Sequence, residues 1–119
     1  MLHFCSSAQP IGIDGFALNC APPRVDSYTP KQLANAYQAA AQVSGFTLFV
    51  SLDFAYWNAN DTPTIIEILQ NYSSLATQAL YNGRPIISTF VGEYFDWSIV
   101  SVSSVVVRVC GLMTVEFFV

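Results

Sequence analysis

Three short apolar segments recur along this chain at a nearly constant interval, and this recurrence constrains the fold more than any other feature. The segments cover residues 15–19, 46–53 and 85–90. Their last residues lie 34 and 37 positions apart. Each segment is apolar at both alternating positions, which is typical of a strand buried on both faces of a parallel sheet. A strand–helix unit repeated at this interval builds such a sheet.

Sequence patterns typical of helices lie between the three predicted strands. Thr29 is predicted to cap the first helix in a capping box, with Pro30 at the first helical position and Gln32 at the third. The Thr-Pro pair at 62–63 opens a second helix in the same way. A shorter helical turn is predicted within residues 75–81, and an Asn-Gly turn then leads into the third strand.

Two architectures use this repeat, the doubly wound sheet and the eight-fold barrel. A doubly wound nucleotide-binding sheet carries glycines between its first strand and helix, whereas residues 19–29 contain none. The fold class predicted is therefore α/β, a partial (β/α)8 TIM barrel of about three βα units. A complete barrel takes about 250 residues and places its catalytic groups at the carboxyl ends of its strands.

The composition changes near the end of the chain. Residues 98–119 hold 8 of the 12 valines and none of the 12 alanines. Such a β-branched segment with few charges is prone to aggregate when exposed. It is either a buried or poorly protected strand pair, or sequence foreign to the preceding domain. The change favours the second interpretation, which divides the chain into a partial barrel over 8–97 and a hydrophobic tail over 98–119.

Charge and residue counts exclude several classes of function. Eight acidic residues against four basic ones give a net charge of −4, which argues against a nucleic-acid partner. No apolar run approaches about 18 residues, so a membrane partner is not expected, and no signal peptide is recognised. His3 is the single histidine, and Cys5, Cys20 and Cys110 lack metal-like spacing. No metal site or cofactor is predicted, and carboxylates remain the candidates for chemistry.

Polar residues at two strand ends are candidate site residues. Asp53 ends an apolar strand, where a carboxylate is costly to bury unless it is paired or functional. The alternative is that it accepts hydrogen bonds from loop N–H groups or caps a turn. Asn19 ends the first strand, and asparagine is also common there because it favours turns.

The loops after the second and third strands contain further candidates. Tyr56 and Trp57 are a possible platform for stacking a sugar ring, and ordinary packing at the barrel rim is the alternative. Glu93 and Asp96 are three residues apart and can face one way, or belong to a solvated loop.

Several sequence blocks together resemble glycoside hydrolase family 71, the fungal α-1,3-glucanases or mutanases. The resemblance covers about residues 8–92, and its blocks are GIDGFALN at 12–19, DSYT at 26–29, LANAY at 33–37, GFTLFVSLD at 45–53, YNGRP at 81–85 and STF at 88–90.

The resemblance implies a (β/α)8 barrel that performs endo-hydrolysis of α-1,3-glucan with inversion, needs no cofactor and acts outside the cell. Asp53 matches the acid of the family's Ser-Phe-Asp strand end, although Leu52 replaces the phenylalanine. The match therefore assigns Asp53 to the active site and Asn19 to the substrate cleft. An inverting glycosidase needs two carboxyl groups roughly 6.5–9.5 Å apart, and the family's others come from later strands.

Three hypotheses follow from the sequence. The first is a piece of a glucanase barrel whose partner is α-1,3-glucan and which is inactive alone, so the sequence leaves open whether this chain is itself an enzyme. The second is a non-catalytic fragment, or a misread frame, with at most weak carbohydrate binding through Asn19, Tyr56 and Trp57. The third is an aggregating or membrane-active peptide driven by the tail. Self-association through open sheet edges is a further expectation.

Overall fold

Helices and strands alternate along the chain in the computed structural model, which describes residues 1–100, 106–110 and 115–118. The α-helices and strands are α1 Leu2–Ala8, β1 Gly15–Cys20, α2 Thr29–Ala40, β2 Thr47–Asp53, α3 Thr62–Tyr72, β3 Leu80–Tyr81, β4 Arg84–Phe90, β5 Val106–Cys110 and β6 Val115–Phe118. Short 3-10 helices cover Gln9–Ile11, Ala59–Asp61 and Trp97–Ile99. The fold is therefore mixed α/β, and strands occur at all three predicted positions.

The strands form one sheet in the order β1-β2-β4-β5-β6, with β3 paired antiparallel to β4. The pairs β1–β2, β2–β4 and β4–β5 are parallel, and β6 runs antiparallel to β5. The register places Asn19 beside Ser51, and Asp53 beside Phe90. The four parallel strands thus lie side by side in chain order, as successive strand–helix units require.

Only one face of the parallel sheet is covered by helices within the described residues. Leu48, Val50 and Leu52 of β2 are buried in the core with apolar side chains of α2 and α3, whereas the alternate residues of β2 are half-buried. Tyr37 of α2 stacks on Tyr72 of α3 with ring centroids 4.3 Å apart, so both helices lie on the same face. The prediction that both faces are buried is wrong for this strand, because no helix covers the second face. We call this second face, with Ala17, Asn19, Phe49, Ser51 and Asp53, the open face.

The helix starts differ from the predicted capping boxes. Helix α2 begins at Thr29, yet the Thr29 hydroxyl donates to the carbonyl of Ala21 at 2.8 Å and does not cap. The side chain is 1% exposed, so this bond attaches the helix start to the loop after β1. Before α3, the capping box is one turn earlier than predicted, where Asp61 accepts from the backbone N–H of Asn58 at 2.9 Å.

The helical turn predicted within residues 75–81 is wrong. The backbone N–H of Leu48 donates to the carbonyl of Thr77, and that of Ala79 donates to Leu48, so this segment runs beside β2. Gln78 is buried there and donates from Nε2 to the carbonyl of Ile86 at 2.7 Å. The predicted Asn-Gly turn is present, with φ of 51° at Asn82 and 76° at Gly83.

The tail contributes two of the strands. The backbone of β5 extends the parallel sheet beside β4, and β6 pairs with β5. The backbone of β5 and β6 forms a strand pair, which is one of the two interpretations of the tail. The domain boundary after residue 97 stays a prediction. In the part of the chain that the structure describes, no helix is both long and apolar enough to cross a membrane.

Candidate functional site

The predicted strand-end residues lie at one edge of the sheet. Strands β1 and β2 are parallel, and Asn19 pairs in register with Ser51, two residues before Asp53. Because residues two apart on a strand point to the same side, Asn19 and Asp53 share the open face. From ordinary strand spacing and rise, their Cα atoms are about 8 Å apart. The fold thus brings an amide and a carboxylate together beside solvent.

The carboxylate of Asp53 is fixed by a turn that follows β2. Its Oδ1 accepts from the backbone N–H of Ala55 at 3.0 Å. Its main-chain carbonyl accepts from the N–H groups of Tyr56 and Trp57. Asp53 therefore accepts a hydrogen bond from a loop N–H group, as the alternative to a functional role predicted. The turn uses only one of the two carboxylate oxygens, and it holds the half-buried group at the strand end.

The two aromatic candidates after β2 occupy different environments. Trp57 is 3% exposed, and its indole Nε1 donates to the carbonyl of Cys20 at 2.8 Å. The packing alternative describes its position, since a buried ring offers little surface to a sugar. Tyr56 is 51% exposed and presents its ring to solvent.

Two loop residues that the sequence analysis missed join the loops after β1 and β2. Arg24 Nε donates to Asp61 Oδ1 at 3.0 Å, and Arg24 Nη2 donates to Asp61 Oδ2 at 2.9 Å. Arg24 Nη2 also donates to the carbonyl of Tyr56. The hydrogen bond from Arg24 holds the pKa of the Asp61 carboxyl below its usual value. The pair attaches the Tyr56–Trp57 segment to the loop after β1.

The thiol of Cys20, at the end of β1, has low reactivity. Burial raises the pKa of Cys20 to about 12, and the negative charges of Asp26 and Asp53 add to the shift. A thiol with this pKa stays protonated near neutral pH, so it is a poor nucleophile. Within residues 1–100, no group of histidine, cysteine, aspartate or glutamate side chains is arranged to hold a metal ion.

A groove lies between the loops that follow β2 and β4. We call it the strand-end groove; it has a volume of about 410 Å³ and is lined by Phe54, Trp57, Asn58, Ala59, Val91, Tyr94, Phe95 and Asp96. Phe54 packs on Phe95 with ring centroids 4.9 Å apart, and Phe95 packs on Trp97 at 4.7 Å. Tyr94 is 93% exposed, and no pattern in the sequence singled it out.

The two acids after β4, Glu93 and Asp96, lie in different environments. Asp96 lines the strand-end groove, and its Oδ1 accepts from the N–H of Ser98 at the start of the 3-10 helix at Trp97–Ile99. Glu93 does not line the groove, and its buried Oε2 has no hydrogen-bond partner among the described residues. Asp96 therefore serves first as a helix cap.

Comparison with known proteins decides the family. The sequence model for glycosyl hydrolase family 71 matches residues 5–114, nearly the whole chain. The chain belongs to this family. The match runs past residue 97, so this family 71 chain resembles the family through β5 as well as through the three predicted strands.

Three curated relatives match this family 71 chain over part of their own length. A mutanase of Penicillium rubens is 52% identical over 95 residues, which is 80% of this chain and 21% of the relative. A glucan endo-1,3-alpha-glucosidase of Schizosaccharomyces pombe is 38% identical over 84 residues, 70% of this chain and 19% of that protein. The ascus wall endo-1,3-alpha-glucanase of the same yeast is 28% identical over 98 residues, 82% of this chain and 22% of the relative.

The family 71 chain spans about a fifth of the length of these relatives. No solved structure matches it.

Proposed function

We propose that this chain is part of a (β/α)8 barrel that hydrolyses α-1,3-glucan, with Asp53 as one of its active-site carboxylates. The observation that carries the proposal is the position of Asp53, at the carboxyl end of a parallel strand and on the face that no helix among the described residues covers. Two curated relatives are named for endo-1,3-alpha-glucan cleavage, which supports that substrate. One curated relative is named for the ascus wall, which supports our placing the activity outside the cell.

The order of the sheet supports the barrel. Parallel strands β1, β2, β4 and β5 follow one another in chain order, and α2 and α3 lie on one face. A doubly wound sheet reverses its strand order and carries helices on both faces, whereas a barrel keeps one direction and one layer of helices. In this proposal the open face becomes the inside of the barrel, where the ends of the strands meet the substrate.

One carboxylate is insufficient for inversion. The general acid and the general base stand on opposite sides of the scissile bond, roughly 6.5–9.5 Å apart, and a water molecule lies between the base and the sugar. Asp96 is used as a helix cap, and Glu93 is partly buried outside the groove. We therefore propose that the second carboxyl group comes from later strands of the barrel and that this chain alone has no turnover.

The remaining candidates have supporting roles in the proposal. Asn19 lines the substrate cleft beside Asp53, where its amide can bond to sugar hydroxyl groups. Tyr56 offers an exposed ring at the rim. Trp57 acts through the loop that its indole attaches to Cys20.

A chimeric enzyme tests this proposal. Residues 5–97 of this chain replace the matching segment of the Penicillium rubens mutanase, whose identity of 52% favours compatible packing. We expect the chimera to release reducing sugar from α-1,3-glucan, and we expect Asp53→Asn to reduce that rate by at least about a hundredfold. Asp14→Asn, at the opposite end of the sheet, is the matched control and should keep the activity. A chimera with Asp53→Asn that is as active as its parent would refute the role of Asp53.

A further inference from the structure

We propose that the strand-end groove is a binding subsite for one pyranose unit of an uncharged glucan, with Tyr94 as its stacking ring. The inference rests on the proposed function, because the groove would extend the cleft that begins at Asp53. It adds a site, and a residue, Tyr94, that the sequence analysis did not single out.

The groove has the size and the lining of a small-molecule site. Its volume of about 410 Å³ falls in the usual range of roughly 300–1,000 Å³. Four of its eight lining residues are aromatic, and Asn58 and Asp96 supply polar atoms. This combination suits a sugar, whose ring has an apolar face of C–H groups and a rim of hydroxyl groups.

The charge of the groove selects against anionic ligands. The residues that line it include one carboxylate, Asp96, and no lysine, arginine or histidine. A phosphate or a nucleotide would meet a negative charge there without a compensating cation. Neutral hydroxyl groups, by contrast, can donate to a carboxylate and accept from the amide of Asn58. The chemistry therefore favours an uncharged polyol.

Tyr94 supplies the exposed aromatic surface that such a ligand needs. Tyr94 is 93% exposed, although burial of an aromatic ring away from water lowers the free energy. A tyrosine ring has an apolar face and a polar tip, so it can cover a sugar ring and still bond to water or to a hydroxyl group.

Both walls of the groove are held in place without a ligand. On one side, the ring of Trp97 packs against Phe54 and Phe95, and its Nε1 donates to the carbonyl of Gly92. On the other side, the N–H of Asn58 donates to Asp61, which Arg24 holds in turn. A site whose walls are already ordered loses less conformational entropy when a ligand binds.

The groove begins directly after the Asp53 end of β2. Phe54 directly follows Asp53, and its backbone N–H donates to the carbonyl of Phe90 at 2.9 Å, joining the ends of β2 and β4. A glucan chain that passes Asp53 can therefore place a neighbouring sugar unit on Tyr94. The groove then binds the polymer beside the bond that is cleaved.

Calorimetric titration of the full chain with a soluble α-1,3-linked glucose tetrasaccharide tests the subsite. We expect Tyr94→Ala to weaken binding about tenfold and Tyr94→Phe to stay within about twofold of the parent. Tyr28→Ala is the matched control, because Tyr28 is a tyrosine that is 68% exposed and lies outside the groove. Circular dichroism establishes that each variant is folded.

Three outcomes would overturn the subsite. These are a Tyr94→Ala variant that binds as tightly as the parent, a Tyr28→Ala variant that weakens binding as much as Tyr94→Ala, and a folded parent chain that does not bind the tetrasaccharide. Self-association that disappears in Tyr94→Ala, without sugar binding, would also overturn it, because the groove would then hold a second copy of the chain. None of these results changes the chimera experiment on Asp53, so failure of the subsite is distinguishable from failure of the proposed function.

Discussion

Arg24 and Asp61, which are 37 residues apart in the sequence, form two parallel hydrogen bonds between the loops after β1 and β2. The guanidinium of Arg24 also reaches the carbonyl of Tyr56. Planar two-bond pairing is specific to arginine, since the lysine ammonium group acts as a point charge. The pair therefore fixes the geometry of the loop that follows Asp53, in addition to neutralising a carboxylate.

Substitution of Arg24 should loosen that loop. In Arg24→Gln, Asp61 loses both side-chain hydrogen bonds, and the Tyr56 carbonyl loses its donor. We expect a lower melting temperature and weaker glucan binding, with Arg24→Lys intermediate because it restores charge without the planar fork. Differential scanning calorimetry and the tetrasaccharide titration measure the two effects.

Lys31→Gln is the control for the Arg24 variants, because it removes the same charge from an exposed position on α2. It should leave both measurements nearly unchanged. Equal effects of Arg24→Gln and Lys31→Gln would show that net charge, and not the pair, is responsible.

Asp61 should contribute to the pH dependence of stability. Its folded-state pKa lies below the ordinary value of 3.8, mainly because of the hydrogen bond from Arg24. A lowered folded pKa means that the unfolded chain takes up the proton first, so the stabilisation is present above the ordinary pKa and is lost as pH falls through the folded value. In urea unfolding between pH 5 and pH 2, Asp61→Asn should therefore decline less steeply than the parent.

Salt provides an independent check on the Asp61 assignment. Arg24 is substantially exposed, so screening by about 1 M salt should reduce the acid dependence of the parent and bring it towards Asp61→Asn. An acid dependence that is identical in the parent and in Asp61→Asn would exclude this carboxylate as its source.

Cys20 should resist alkylation while the chain is folded. With a pKa raised to about 12, only about one thiol in ten thousand is ionised at pH 8, and the side chain is buried. We expect iodoacetamide to leave Cys20 unmodified under native conditions and to modify it in urea, as read by peptide mass spectrometry. Rapid native labelling of Cys20 would contradict this environment.

The parallel strands were predictable, because their signal is local and repeats. The apolar segments recur at a constant interval, and the structure has β1, β2 and β4 at those positions. The prediction that both faces are buried was wrong for β2, because the number of helices on each face depends on the whole fold. The predicted cap at Thr29 was wrong because its hydroxyl bonds to Ala21 instead, a tertiary contact with no local signal.

The candidate site was predictable only in part, because local sequence patterns do not encode contacts between distant segments. Asp53 and Asn19 follow from their positions at strand ends, and parallel pairing is sufficient to place them on one face. The Arg24–Asp61 pair and the exposure of Tyr94 depend on how loops distant in sequence meet, and no periodic pattern encodes either. For Trp57 the sequence allowed a binding surface or packing and favoured packing, which its burial supports.

Gln78 should be important for stability although it lies far from the candidate site. Its Oε1 accepts from the hydroxyl of Tyr37 at 2.8 Å, and its Nε2 donates to the carbonyl of Ile86 at 2.7 Å. Gln78→Ala removes both hydrogen bonds from a buried region, so we expect the free energy of unfolding to fall by about 2–3 kcal/mol. Gln38→Ala, at an exposed position on α2, should stay within about 0.5 kcal/mol of the parent. Urea unfolding of the three proteins measures the difference, and a loss in Gln78→Ala no larger than in Gln38→Ala would show that the buried network does not stabilise the fold.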